Sequence, residues 1–169
     1  MRRDELLDAA EELLCDLGST ALTLSAVADR AGVSKGGLLY HFSTKEALIK
    51  GMVERLIEEF DQLIAEQPDA TYTERYLGAT LAAVRSGRLR RWAVVTSASG
   101  NIYLLTPLRE AMARWHREGL GEEPDPLASQ IVRLACEGLW DVASHDPGLN
   151  GESDLRALDT RLRALLKPG

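Results

Sequence analysis

The sequence predicts an all-α chain in two parts, a small helical module at the N-terminus and a larger helical domain after it. Three observations predict this. Apolar residues recur at spacings of three and four along most of the 169 residues, and no segment alternates as a strand would. Glycine and proline punctuate that pattern at Gly18, Gly32, Gly87, Gly100 with Pro107, Gly121 with Pro124, and Pro147 with Gly148. Hydrophobic residues make up 45% and charged residues 27%, a composition that buries a core and excludes a disordered chain.

The elements follow in order. Leu6, Leu7, Ala10, Leu13, Leu14 and Leu17 form one stripe that ends at Gly18, which predicts a first helix of about four turns. Thr23 precedes Leu24, Val27, Ala28 and Ala31, a short second helix stopped by Gly32. Ser34 opens a short third helix carrying Leu38, Leu39 and Phe42. Ser43 and Glu46 stand in the capping-box arrangement, with Thr44 as the alternative cap. A long fourth helix then carries Leu48, Met52, Val53, Leu56, Ile57, Phe60 and Ile64, until Gln67-Pro68-Asp69 interrupts its hydrogen-bond ladder. Further helices are expected at roughly 71–86, 89–99, 106–119, 125–145 and 152–167. The expected domains are 1–46 and 47–169.

Residues 23–42 carry the functional argument. Two short helices joined by a tight glycine-containing turn match the helix-turn-helix, in which the second helix enters the DNA major groove. Gly32 suits the left-handed turn, Val33 plugs the angle between the helices, and Leu38 faces their core. Outward-facing chemistry fits a duplex. Ser34 and Lys35 lie where free amides favour anions. Gly36 and Gly37 remove side-chain bulk, at about 1 kcal/mol each relative to alanine in a helix interior. Tyr40 and His41 offer donors and flat faces, with bracing of the fourth helix as an alternative role for His41. Lys45 is placed to clamp a phosphate. Between Thr20 and Lys50 the cations Arg30, Lys35, Lys45 and Lys50 outnumber Asp29 and Glu46, although the whole chain is at −6.

Here the sequence resembles the tetracycline-repressor family of bacterial regulators, through Thr23-Leu24, Val27-Ala28, Ala31-Gly32-Val33-Ser34, Gly36, Leu38, His41-Phe42 and Lys45-Glu46-Ala47-Leu48. The match covers roughly residues 3–60; the remainder agrees in layout. One departure is Leu39, where the family usually has a tyrosine that touches the DNA backbone, so Leu39 is left out of the expected site. The expected DNA-binding residues are Thr23, Ser25, Ser34, Lys35, Gly36, Gly37, Tyr40, His41 and Lys45. What the resemblance implies is a transcription regulator, most simply a repressor, that binds double-stranded operator DNA as a homodimer and responds to a small-molecule effector. The last two long helices would then meet their copies in a four-helix bundle through Leu127, Ile131, Leu134, Leu139, Val142, Leu155, Leu158, Leu162 and Leu165. A palindromic operator asks for the same two-fold symmetry, with recognition helices roughly 34–36 Å apart. Tyr72, Tyr76, Trp92, Thr96, Tyr103, Met112 and Trp115 are candidates for an apolar effector pocket, with plain core packing as the alternative.

Other classes find little support. His116, His145, Cys15 and Cys136 have no partners at metal-ligand spacing, so neither a metal nor another cofactor is expected. There is no nucleophile elbow, phosphate loop or dinucleotide motif, so an enzyme is not expected. His145-Asp146 reads as a helix end, and Arg85, Arg88, Arg90 and Arg91 as a solvated helix junction. No apolar run reaches the roughly 20 residues of a membrane span, and the N-terminus has no secretory signal pattern. The two cysteines are expected as buried free thiols, and the address as cytoplasmic. A helical scaffold protein whose corner no longer reads DNA is the competing reading.

Overall fold

The computed structural model describes residues 3–66, 70–146, 148 and 151–167. The Gln67-Pro68-Asp69 break, Pro147 and Arg2 lie outside the described residues. Among those described, α-helices follow one another without a strand: α1 (Arg3–Leu17), α2 (Leu24–Arg30), α3 (Lys35–His41), α4 (Lys45–Ala65), α5 (Tyr72–Arg85), α6 (Arg88–Ala98), α7 (Thr106–Arg117), α8 (Pro126–His145) and α9 (Glu152–Leu165). The all-α expectation holds, and helix ends fall within a few residues of the periodicity reading. Short 3-10 turns at Ser19–Ala21, Ile102–Leu105 and Leu120–Glu122 add to it.

The chain divides into two compact units. The first combines Met1–Leu56 with Arg91–Arg109, and the second combines Ile57–Arg90 with Glu110–Gly169. In the first unit, Leu6, Leu7, Ala10, Leu13 and Leu14 of α1 are buried, as are Val27 and Ala28 of α2, Leu38 of α3, and Leu48, Met52, Val53 and Leu56 of α4. Gly51 has a packing reason to lack a side chain. A Cβ there would stand 2.8 Å from the Phe42 ring and 2.9 Å from the Arg3 guanidinium.

Three helices of this unit converge on one carboxylate. Glu11 of α1 is buried, paired at 2.5 Å with Arg55 of α4 and at 2.6 Å with Arg91 of α6. Arg55 also reaches Asp8 at 2.6 Å. The junction arginines are therefore only partly solvated: Arg91 joins this cluster, and Arg85 pairs with Glu152 in the second unit.

The second unit packs α5 against α8, with α9 on both. Its interior holds a ring cluster of Phe60, Tyr76, Trp115 and Trp140, with Phe60 edge-on to the other three at 4.7 to 5.7 Å between centroids. The Trp115 indole N–H donates to Asp61 at 2.6 Å, and Arg114 holds the same carboxylate with two hydrogen bonds. Arg133, at 0% exposure, is the most deeply buried charge among the described residues.

One expectation needs correction. Cys15 is exposed, because it sits beyond the edge of the α1 stripe, whereas Cys136 is buried as expected. Burial pushes the Cys136 thiol up to about 12, and only thiolates are nucleophilic. A disulfide-exchange reagent at neutral pH should therefore titrate one thiol per native chain promptly, the second only after unfolding. Prompt reaction of both would show that α8 opens far more readily than its packing implies.

Candidate nucleic-acid interface

The α2–α3 corner is built by local rules. Thr23 is extended and its Oγ1 accepts the Ala26 N–H at 3.1 Å, which starts α2. Gly32 reverses the chain at φ +69°, a conformation costly for any residue with a Cβ. The Val33 N–H then donates to the Ala28 carbonyl at 2.9 Å, and Ser34 starts α3 by accepting the Gly37 N–H at 3.1 Å. Leu38 is wholly buried; Val33 is half-buried at the angle between the helices. At the next corner Thr44, not Ser43, accepts the Ala47 N–H at 3.0 Å and caps α4.

This leaves α3 with an open face. Ser34, Lys35, Gly36, Gly37 and Tyr40 are all exposed, Tyr40 at 87%. The Tyr40 ring meets the half-buried His41 ring edge-on at 5.2 Å. Lys45, in the first turn of α4, lays its Nζ 3.5 Å from the Ser19 carbonyl oxygen. Thr23 and Ser25 are exposed in the first turn of α2. Leu39, which is not among the expected site residues, is also exposed on this helix.

The two glycines of α3 are the informative feature. Neither has a positive φ. A Cβ added at Gly36 would meet nothing nearer than the Ser34 hydroxyl at 4.0 Å, and at Gly37 the same oxygen at 3.4 Å, an ordinary contact. Neither backbone geometry nor packing within the chain calls for glycine at either position.

The other expected sites are placed less compactly. Tyr76 and Trp115 belong to the ring cluster of the second unit, and burial raises the Tyr76 hydroxyl above its ordinary range. Tyr72 borders an open cleft of about 430 Å³ with Thr71, Arg75, Glu118 and Glu122; burial pushes its hydroxyl up to about 12. Met112 borders another of about 310 Å³ with His116 and Glu137. Trp92 is buried in the first unit, where the Thr96 hydroxyl donates back to its carbonyl at 2.8 Å. Tyr103 is 79% exposed. The seven candidate pocket residues are therefore divided between the two units. Of the nine candidate interface residues, Leu127, Ile131, Leu134 and Leu165 are exposed, Leu127 at 67%. Val142 and Leu158 are half-buried, whereas Leu139, Leu155 and Leu162 turn into the core of their own unit.

Two family models match the chain, one after the other. One described as "Bacterial regulatory proteins, tetR family" matches residues 6–52, and one described as "Tetracyclin repressor-like, C-terminal domain" matches residues 70–167. The chain belongs to the tetracycline-repressor family. The second match extends the likeness well beyond the first 60 residues. Among curated members of the family, the HTH-type transcriptional repressor KstR2 of Rhodococcus jostii is 34% identical over 83 residues, 47% of this chain and 41% of that one. The HTH-type transcriptional activator FasR of Mycolicibacterium smegmatis is 44% identical over 57 residues, 34% of this chain and 26% of its own. These matches span less than half the length of either relative. The HTH-type transcriptional regulator BetI 1 of Chromohalobacter salexigens is 25% identical over 156 residues, 83% of this chain and 77% of that one. Among solved structures, a transcriptional regulator from a Rhodococcus species superposes with a TM-score of 0.73 at 21% identity, over 98% of this chain and 96% of the other. The fatty acid degradation regulator FadR of Bacillus halodurans superposes at 0.68, also with 21% identity, over 98% and 97%. Both show the shared fold. Among the described residues no helix is long and apolar enough to cross a membrane, and no group of side chains is arranged to hold a metal ion.

Proposed function

We propose that the protein is a sequence-specific, DNA-binding transcription regulator that inserts α3 into the major groove of a palindromic operator as a homodimer. The observation that carries the reading is the pair of glycines on the open face of α3, which nothing inside the chain demands. A surface cleared of bulk, flanked by Lys35, Tyr40 and Lys45, suits close approach to a duplex. Thr23, Ser25, Ser34 and His41 complete the surface offered to phosphates and sugars. Leu127, Ile131 and Leu134 form an exposed stripe along α8, joined in exposure by Leu165 of α9, and support a two-fold contact.

In this reading the operator-bound dimer represses by excluding polymerase, and a small-molecule effector releases it. Effector and DNA then compete through the spacing of the two recognition helices. Its place of work is the cytoplasm, where the DNA is.

The test is a fluorescence titration of the purified protein against DNA upstream of its own gene and fragments selected from the native genome. Saturable binding at physiological salt, in competition with random DNA, is the expected result. A chain indifferent to every fragment would leave the helical scaffold reading in its place. Lys45→Ala should weaken binding to all sequences alike and lower the log–log salt slope by about one unit per protomer. A slope unchanged from the parent would remove Lys45 from the phosphate contacts.

A further inference from the structure

Leu38 and Leu39 are chemically identical neighbours with opposite surroundings. Leu38 is wholly buried and serves the corner between α2 and α3, whereas Leu39 is 39% exposed. It lies three residues after Gly36 and four after Lys35, so the three share one flank of α3. With no side chain at Gly36, Leu39 rises from a shallow floor beside the outward-pointing Tyr40. Its isobutyl group has neither donor nor acceptor. It cannot bind a phosphate oxygen or read a hydrogen-bonding base edge. What it offers is a hydrocarbon surface that gains by leaving water.

The major groove presents one apolar feature at the base edges, the C5-methyl group of thymine. We infer that Leu39 is a specificity-determining residue, packing against a thymine C5-methyl in each half-site. This rests on the reading of α3 as a recognition helix. It also gives the departure from tyrosine at this position a consequence: an aliphatic contact to a base in place of a hydroxyl to the backbone.

Uracil keeps the hydrogen-bonding edges of thymine and lacks only the methyl group, so it isolates the contact. An operator fragment selected from genomic DNA is titrated with the full-length protein after each thymine in turn is replaced by uracil. One position per half-site should weaken binding by about fourfold, the value of one buried methyl group. Leu39→Ala should bind the thymine operator several-fold more weakly and lose all discrimination at that position alone. Thermal unfolding of the variant, at most modestly lowered because Leu39 is outside the buried core, shows that the protein titrated is folded. Two results overturn the inference: a parent protein indifferent to uracil at every position, or a Leu39→Ala variant that still discriminates at the same thymine. Failure of the parent to bind any DNA is a separate result, seen before any uracil is introduced, and it removes the recognition-helix reading together with this one.

Discussion

Replacing Arg133 with alanine should cost about 3–5 kcal/mol of folding stability, the usual loss when a buried ion pair is broken from one side. The Arg133 guanidinium has no exposure and uses all of its nitrogens. Its Nε donates to Thr73 Oγ1 at 2.9 Å, Nη1 to the His116 carbonyl at 2.9 Å and to that of Trp115 at 3.4 Å, and Nη2 to Glu123 Oε1 at 3.3 Å. Its charge also sits 5.0 Å from the centre of the Tyr72 ring. Glu123 in turn accepts the Thr73 N–H at 2.8 Å. One side chain thus closes the last turn of α7, holds the loop that carries Glu123, and fixes both to the start of α5. Arg133→Ala would leave the Glu123 carboxylate buried beside carbonyls that have lost their donor. Arg133→Lys should recover only part of the loss, since an ammonium cannot span three directions as a planar fork does. Arg133→Met with Glu123→Leu should be less damaging than Arg133→Ala alone, because no unpaired charge remains. Urea denaturation at one fixed protomer concentration measures all of these. A loss below about 1 kcal/mol for Arg133→Ala would show that water reaches the site.

Nothing local in the sequence marks this network. Helix α8 carries apolar residues over a wide arc, so two stripes satisfy the same three-and-four spacing. Leu127, Ile131 and Leu134 form one, Ala128, Val132, Cys136, Leu139 and Ala143 the other. Size favours the first stripe on paper, yet the smaller residues face the unit's core and carry Arg133 with them. Periodicity gives a helix its position; it does not choose between two eligible faces. The same limit applies to the aromatic residues. Phe60, Tyr76, Trp115 and Trp140 come from four helices, and nothing local announces their meeting. Glu11 looks like one more solvated carboxylate of α1, because its partners Arg55 and Arg91 lie far along the chain. The α2–α3 corner was legible for the opposite reason. Gly32, Thr23, Ser34 and Leu38 act within a few residues of themselves, so backbone chemistry written in sequence is realised locally.

Gly36→Ala and Gly37→Ala should move stability and DNA affinity in opposite directions. Each replaces glycine by the best helix former at a position with ordinary backbone angles and room for a methyl group. The free protein should gain up to about 1 kcal/mol per substitution. A glycine kept for the fold would give the reverse sign. At the interface the new Cβ stands where a duplex must come closest, and forcing extra volume into a fitted surface costs about 1–3 kcal/mol. That is a loss of affinity of roughly fivefold to a hundredfold for each site, applied twice in a two-fold complex. Gly36 neighbours Tyr40 and Leu39 on the outward flank, so Gly36→Ala should be the more harmful to binding. Paired measurements decide the matter: thermal unfolding of the free variants, and titration with the selected operator. A variant that is more stable and binds as tightly as the parent would mean the cleared surface is not where DNA docks. Greater stability with weaker binding would identify the missing methyl groups as a structural concession made to the partner.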